Sequence, residues 1–430
     1  MKNQAVLSVC GLLMLLAGAL LGCNTEIGIE TTPYNAIKIA PVTPKELLKP
    51  EYGVSNPVSR GANDFAFRLS AALAEQSGTK NLVCSPLSVW IPLSALVNAV
   101  DAQYKTALLT ALSVPGLEET AINNGVSGML YDLTRQGQRE YYEEGSSPDP
   151  LKIANAIFVD SAVTIKQGFA QAFMDYFRGV SINVDFKSPA AVREVNNWVK
   201  THTNGMIPEI IQNFDPETVA AIANAIYFFD RWSWEFDPDK TTEDVFYAPE
   251  GDTKAFYMLR EGDSLYYEDE TLQALPLSFK TGGSLYILLP KDGDAPGLLA
   301  SLTDDYFSAI QAGSVLAQGK LLLPRFSIEG DVMSFRDILE TLGIPLFIKG
   351  SLPGVIEETA LQVSDALHKA VIKVDEKGTT AAAVTLLLMD VTSAGPQEPE
   401  KSFEMNCNKP FVFVLYDQGQ VVFTGMVNKP

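Results

Sequence analysis

Hydrophobic positions in the last third of the chain fall into short periodic runs separated by turn residues. Val371 and Lys373 alternate with Ile372 and Val374, a period of two that predicts a strand at the end of Val363–Val374. The runs PFVFVLY and VVFTGMV flank Asp417-Gln418-Gly419-Gln420, so a hairpin is expected there. Lys280-Thr281-Gly282-Gly283 sits between two strand-like runs and reads as another hairpin turn. Between these elements lies Asp375–Thr385, DEKGTTAAAVT. Gly378 frees the backbone there, Thr379, Thr380, Ala381, Ala382 and Ala383 are small, and Val384 and Thr385 favour a strand. Such a segment fits a solvated loop, and it also fits between two strands without overpacking a core. Two homes suggest a switch, although the same letters suit an ordinary helix or loop. Leu386–Met389 then leads into Asp390-Val391-Thr392-Ser393-Ala394-Gly395-Pro396, an apolar cluster passing into turn chemistry.

The N-terminus has a different pattern. Lys2 precedes an apolar run from Ala5 to Leu21, and Leu20-Leu21-Gly22-Cys23 resembles a bacterial lipobox. On that reading residues 1–22 are a lipoprotein signal peptide and Cys23 is acylated; an uncleaved signal anchor is the alternative. Residues 24–59 are polar and punctuated by Pro33, Pro41, Pro44, Pro50 and Pro57, so residues 23–59 read as a lipidated cysteine followed by a flexible tether. A tether of that length spans about 33 Å on average. The expected location is therefore the bacterial cell envelope, lipid-anchored after export, or the extracellular side. Membrane attachment would run through Cys23, and Asn24 after it is compatible with an outer surface.

Composition narrows the class. The 430 residues are 47% hydrophobic, enough for a large core, and no linker or internal repeat divides residues 60–430. The formal charge is −20, from 32 basic and 52 acidic residues, and no dense Lys/Arg patch occurs. Nucleic acid and polyanionic cofactors are thereby excluded as expected partners. Cys10 belongs to the signal peptide and Cys23 to the lipid, so Cys84 and Cys407 remain and read as buried free thiols. With only His202 and His368, a histidine-rich metal site is ruled out, and no CxxC, HExxH or GxSxG motif appears. No cofactor and no catalytic residue are expected.

From residue 60 to 430 the chain resembles the serpin family. The hinge EKGTTAAAVT, HKA (His368–Ala370), NKPFVFVLY, NLVCSPLSV (Asn81–Val89), ANAIFV (Ala154–Val159) and VNNWVKTHTNGMI (Val195–Ile207) carry the likeness. So do ANAIYFFDRWSWEF (Ala223–Phe236), LPLSFKTGGSLYILLP, LPRFSI (Leu323–Ile328) and LETLGI (Leu339–Ile344), all in family order. The resemblance implies an α+β serpin fold, with a large central β-sheet, further sheets, surrounding helices and an exposed reactive loop. It implies suicide inhibition of a serine, or cysteine, protease by a monomer. The protease attacks the loop and becomes acylated, and the cleaved loop enters the main sheet as a new strand.

The family pattern also assigns residues. Glu376 through Thr385 (Glu376, Lys377, Gly378, Thr379, Thr380, Ala381, Ala382, Ala383, Val384, Thr385) form the hinge, with Thr379, Ala381, Ala383 and Thr385 on the face that would enter the sheet. No proline lies between Gly378 and Gly395, as insertion requires. Ser85, Ser88, Asn196 and His368 correspond to the shutter, a hydrogen-bonded cluster under the sheet. Arg325 and Glu376 correspond to a latch at the loop base, for which an exposed ion pair is the weaker reading. Counting from Glu376 puts the reactive bond at Thr392–Ser393, with Met389–Asp390 and Val391–Thr392 as alternatives. Thr392 suits elastase-like or subtilisin-like enzymes, and Leu388 or Met389 would suit chymotrypsin-like or papain-like ones. Two departures stand out: Phe229-Asp230 replaces the usual Lys-Gly and is expected to affect local packing only, away from the hinge, and the stretch after the reactive bond is long. A serpin-fold protein that binds a partner without inhibiting is the competing class.

Overall fold

A computed structural model describes residues 57–134, 151–215, 217–363, 366–379 and 401–430. The C-terminal hairpin forms as expected: Phe411–Asp417 pairs with Gln420–Val427 around Gln418 (φ 46°) and Gly419 (φ 81°). Both turn residues have positive φ, the requirement of a two-residue turn that follows strand twist. This hairpin lies inside a nine-stranded sheet, between Leu82–Cys84 on one side and Ser284–Pro290 on the other. Leu272–Ser278 and Ser284–Pro290 meet at the Lys280–Gly283 turn, where Gly282 and Gly283 both take positive φ. Beyond them the sheet continues through Thr253–Glu268, Val315–Pro324 and Lys401–Asn406.

The helix Pro57–Ser77 runs against the hairpin. Asn63 receives the N–H of Val421 at 2.9 Å and donates to the Gly419 carbonyl at 3.0 Å, and the hydroxyls of Ser70 and Thr424 are 2.7 Å apart. The helix opens at Pro57 with Val58 buried, so residues 57–59, assigned above to the tether, belong to the fold. Proline suits this first position because its missing N–H would have had no helical partner.

Two smaller sheets matter for the site. One has the order Gly179–Val184, Leu151–Asp160, Ala220–Phe228; the other has Phe326–Glu329, Val371–Asp375, Gly378–Thr379, Asp230–Arg231. They share a chain line, because Ala220–Phe228 continues past Phe229 into Asp230–Arg231. The strand expected at the end of Val363–Val374 begins at Val371; before it, Leu367–His368 makes a separate short pair with Met333–Ser334. Alternation is confined to 371–374, and His368 turns aside to other partners described below.

Among the described residues no helix is long and apolar enough to cross a membrane. Cys10 and Cys23 lie outside those residues. Cys84 and Cys407 are both free and fully buried, and burial pushes both thiols well above the ordinary range. In a protein of residues 24–430, native-state labelling with a thiol reagent at pH 8 should therefore be negligible. Addition of denaturant should expose both groups together. Rapid labelling of either in the folded protein would contradict this packing.

Candidate functional site

The site begins where Val371–Asp375 ends. The chain turns at Glu376–Lys377 and comes back as Gly378–Thr379, antiparallel to its own preceding strand. The pairs are Val374 with Thr379 and Asp375 with Gly378. On its other side the same two-residue strand pairs with Arg231 and Asp230. The first hinge residues thus already occupy a position between two strands. Gly378 is needed there: its φ is 148°, and a Cβ would run into the Asp230 carbonyl and lie 2.7 Å from Arg231 Cα. Thr379 is buried, and its hydroxyl lies 3.3 Å from the Asp230 N–H and 3.4 Å from the Asp230 carbonyl. The Phe229-Asp230 departure therefore does touch the hinge. Sequence position concealed this because the contact joins residues 149 apart.

An ion pair stands beside the turn, between the two residues expected to form a latch. Arg325 Nε donates to Glu376 Oε1 at 2.7 Å, its Nη2 approaches the same oxygen, and Thr241 Oγ1 donates to it at 2.6 Å. Burial alone would raise the Glu376 pKa, but hydrogen bonds from Arg325 and Thr241 outweigh it and hold the carboxyl below its usual range. Arg325 also lies over the Phe256 ring, 5.7 Å from its centroid. Backbone bonds add to this: Trp232 N–H to the Lys377 carbonyl (3.0 Å), Phe236 N–H to the Glu376 carbonyl (2.9 Å) and Trp232 Nε1 to the Asp375 carbonyl (2.9 Å).

Below Thr379 the two strand lines separate. A small void of about 10 Å³ touches Thr379, Phe228, Ile372 and Phe423. Phe423 also lines a much larger cleft of about 840 Å³, flanked by Ala220–Ile226 on one side and Leu367–Ala370 on the other. Ser85 and Ser88 lie in its wall, as does the segment 209–215 that follows the helix Pro189–His202. The small Ala220, Ala221, Ala223 and Ala225 leave that side of the cleft largely without bulk.

His368 closes the cleft at its foot. The Ser85 backbone N–H donates to His368 Nε2 at 3.2 Å, which fixes the proton of the neutral ring on Nδ1. Nδ1 is 3.2 Å from Ser88 Oγ, which donates onward to the Ser85 carbonyl at 2.7 Å, while Ser85 Oγ donates to the Val422 carbonyl at 2.8 Å. Phe335 stacks on the ring, and burial lowers the His368 pKa to about 4.

Asn196, expected in this cluster, bonds elsewhere. Its Oδ1 accepts from the N–H groups of Ile210 and Ile211 and its Nδ2 donates to the Ile211 carbonyl at 2.7 Å. Its place on Pro189–His202 makes it a clamp on the segment over the cleft. The asparagine that does face the cleft from the strand is Asn224, whose Nδ2 donates to Asn155 Oδ1 at 2.6 Å. Its Oδ1 is buried with no hydrogen-bond partner among the described residues. An amide within the otherwise small and apolar ANAIYFF was the available signal. The remaining hinge residues Thr380–Thr385 and the candidate bonds at Met389, Asp390, Val391, Thr392 and Ser393 lie outside the described residues, as does Leu388.

Comparison with known proteins matches this arrangement to a family. The family model "Serpin (serine protease inhibitor)" matches residues 60–430, and the chain belongs to that family. An uncharacterized serpin-like protein of Thermococcus kodakarensis is 29% identical over 93% of this chain and 91% of its own length. Serpin A3-8 of Bos taurus is 30% identical over 90% of this chain and 92% of its own. Among solved structures, the thermophilic serpin tengpin in its native state superposes with a TM-score of 0.75 at 26% identity, covering 90% of this chain and 98% of its own. Human thyroxine-binding globulin also gives 0.75, at 22% identity over 88% of this chain and 100% of its own, a likeness of fold.

The buried imidazole makes stability depend on pH. Its folded pKa, about 4, lies below the unfolded value of 6.5, so between these the unfolded chain binds the extra proton. The contribution is complete above pH 6.5 and is lost as pH falls toward 4. Unfolding by denaturant at pH 7 and pH 4.5 should show a loss of roughly 2–3 kcal/mol from this group. His368→Gln should remove that part of the pH dependence while leaving the carboxylate part; identical pH profiles for the two proteins would contradict the assignment.

Proposed function

We propose that this chain is a suicide-substrate inhibitor of serine proteases that traps the acyl-enzyme by inserting its cleaved loop into the sheet. The observation that carries this reading is the seat of Gly378–Thr379 at the head of an open cleft flanked by Ala220–Ile226 and Leu367–Ala370. A strand continuing past Thr379 has the right direction to enter that cleft, and the sequence supplies small uncharged residues for it. From Thr379 to Thr392 such a strand would extend about 46 Å. Movement on that scale would drag an esterified protease across the inhibitor and distort its active site before water completes hydrolysis.

Thr392–Ser393 is the proposed reactive bond, with elastase-like or subtilisin-like enzymes as targets and cysteine proteases as a further class. Met389–Asp390 and Val391–Thr392 are the alternative bonds. The shutter role is proposed for Ser85, Ser88 and His368, and the latch role for Arg325 and Glu376. Acylation at Cys23 would hold the domain at a bacterial surface on its tether, where it would meet extracellular proteases.

Mixing residues 24–430 with pancreatic-type elastase, subtilisin and papain separately should give, with at least one, a product heavier than either protein that survives boiling. The released peptide should begin at Ser393. Thr379→Asp should convert the inhibitor into a substrate that is cleaved without that product, because a second carboxylate would sit opposite Asp230 in a buried pair. Undiminished trapping by the Asp variant would refute insertion. Cleavage without any rise in thermal stability would instead favour a serpin-fold binding protein.

A further inference from the structure

Asp230 is 4% exposed, and the donors to its carboxylate include Arg231 and Thr281. Oδ1 accepts the Arg231 N–H at 2.7 Å; Oδ2 accepts the Thr281 N–H at 3.1 Å and the Thr281 hydroxyl. Thr281 lies in the turn between Leu272–Ser278 and Ser284–Pro290, strands of the nine-stranded sheet. Asp230 lies on the two-residue strand that pairs with the hinge. Its side chain therefore joins two sheets, and its backbone forms one wall of the Thr379 seat.

The segment after Asp230 is fastened to the same turn. Lys280 N–H donates to the Arg231 carbonyl at 2.9 Å, Ser233 N–H donates to the Ser278 carbonyl at 2.8 Å, and Trp232 stacks on Phe279. These contacts hold residues 231–233. At residue 230, where Thr379 pairs, the carboxylate ties the chain to the same turn.

We infer that Asp230 is a positioning residue for loop insertion: by fastening the end of the receiving strand to Thr281 it holds the Gly378–Thr379 seat in register before cleavage. This deepens the inhibitory reading and rests on it for its consequence, though not for its geometry. With the seat occupied in the uncleaved chain, insertion after acylation extends an existing ladder from Thr380. It does not have to bring two separated segments together first, which costs closure entropy. An acyl-enzyme has two fates, insertion or hydrolysis, so a looser seat would raise the share hydrolysed.

The test uses residues 24–430 with Asp230→Ala and, as a milder change that keeps the fold and the Thr281 N–H, Thr281→Val. Hydrogen exchange of the uncleaved proteins comes first and needs no protease. Hinge amides at 376–379 should exchange about tenfold faster in Asp230→Ala and less markedly faster in Thr281→Val, with amides of Phe411–Asp417 unchanged as a control on global stability. The second readout is the number of inhibitor molecules consumed per protease trapped, which should rise by about threefold or more in Asp230→Ala. Unchanged hinge exchange in both variants would overturn the seat. Faster exchange with an unchanged consumption ratio would overturn its role in insertion. Absence of any boil-resistant product from the wild type would overturn the inhibitory reading and the insertion role with it, while the exchange result would still decide whether Asp230 holds the seat.

Discussion

The space between the strand line Ala220–Arg231 and the strand Val371–Asp375 is the constraint on which the rest of the site depends. Among the described residues the only strand between these lines is Gly378–Thr379, at one end. Backbone groups along unpaired strand edges are strong hydrogen-bonding groups that favour a partner strand wherever one can reach them. A fold that keeps such a space needs to hold its walls apart without filling it. The large buried core does this from below: Phe411–Asp417 and Gln420–Val427 form a buried floor, and Phe423 from that floor lines both the void under Thr379 and the cleft.

The polar groups along the space are distributed accordingly. At the head, Glu376 is held charged by Arg325 and Thr241, and the hinge turn by Trp232 and Phe236. At the foot, His368 is neutral and satisfied by Ser85 and Ser88. These are opposite solutions to burial. A carboxylate with a charged donor retains its charge, whereas an imidazole buried among neutral partners gives its charge up. Both leave few groups unsatisfied, with Asn224 Oδ1 the exception on the cleft wall. A buried amide oxygen without a partner is uncommon, and among the described residues this one marks the strand Ala220–Phe228 beside the cleft.

Much of this was legible in the sequence wherever the signal is local. The C-terminal hairpin and the Lys280–Gly283 turn follow from alternating apolar runs around glycine, and the burial of Cys84 and Cys407 from their strand-like surroundings. The latch and the His368 cluster were named from family resemblance, and the geometry brings Arg325 to Glu376 and Ser85 and Ser88 to His368. What the sequence did not reveal is non-local. Asn196 and Asn224 are both asparagines in family motifs, and nothing in either motif says which one faces the cleft. The Val363–Val374 run does not show that His368 leaves the strand line for Ser85.

Asp230 shows why such failures concentrate at the site. Its neighbours in the chain mark it as a local departure in a well-matched motif, and a change from a small residue to an acidic one reads as a packing adjustment. Its partners include Thr281 and Thr379, from two segments distant in sequence that the fold brings together. A buried carboxylate needs its donors in place, since without them desolvation would be costly. Its presence therefore implies that the Thr281 turn and the strand Asp230–Arg231 have a fixed relation in the folded state. That fixed relation gives Thr379 a defined seat between Asp230 on one side and Val374 on the other.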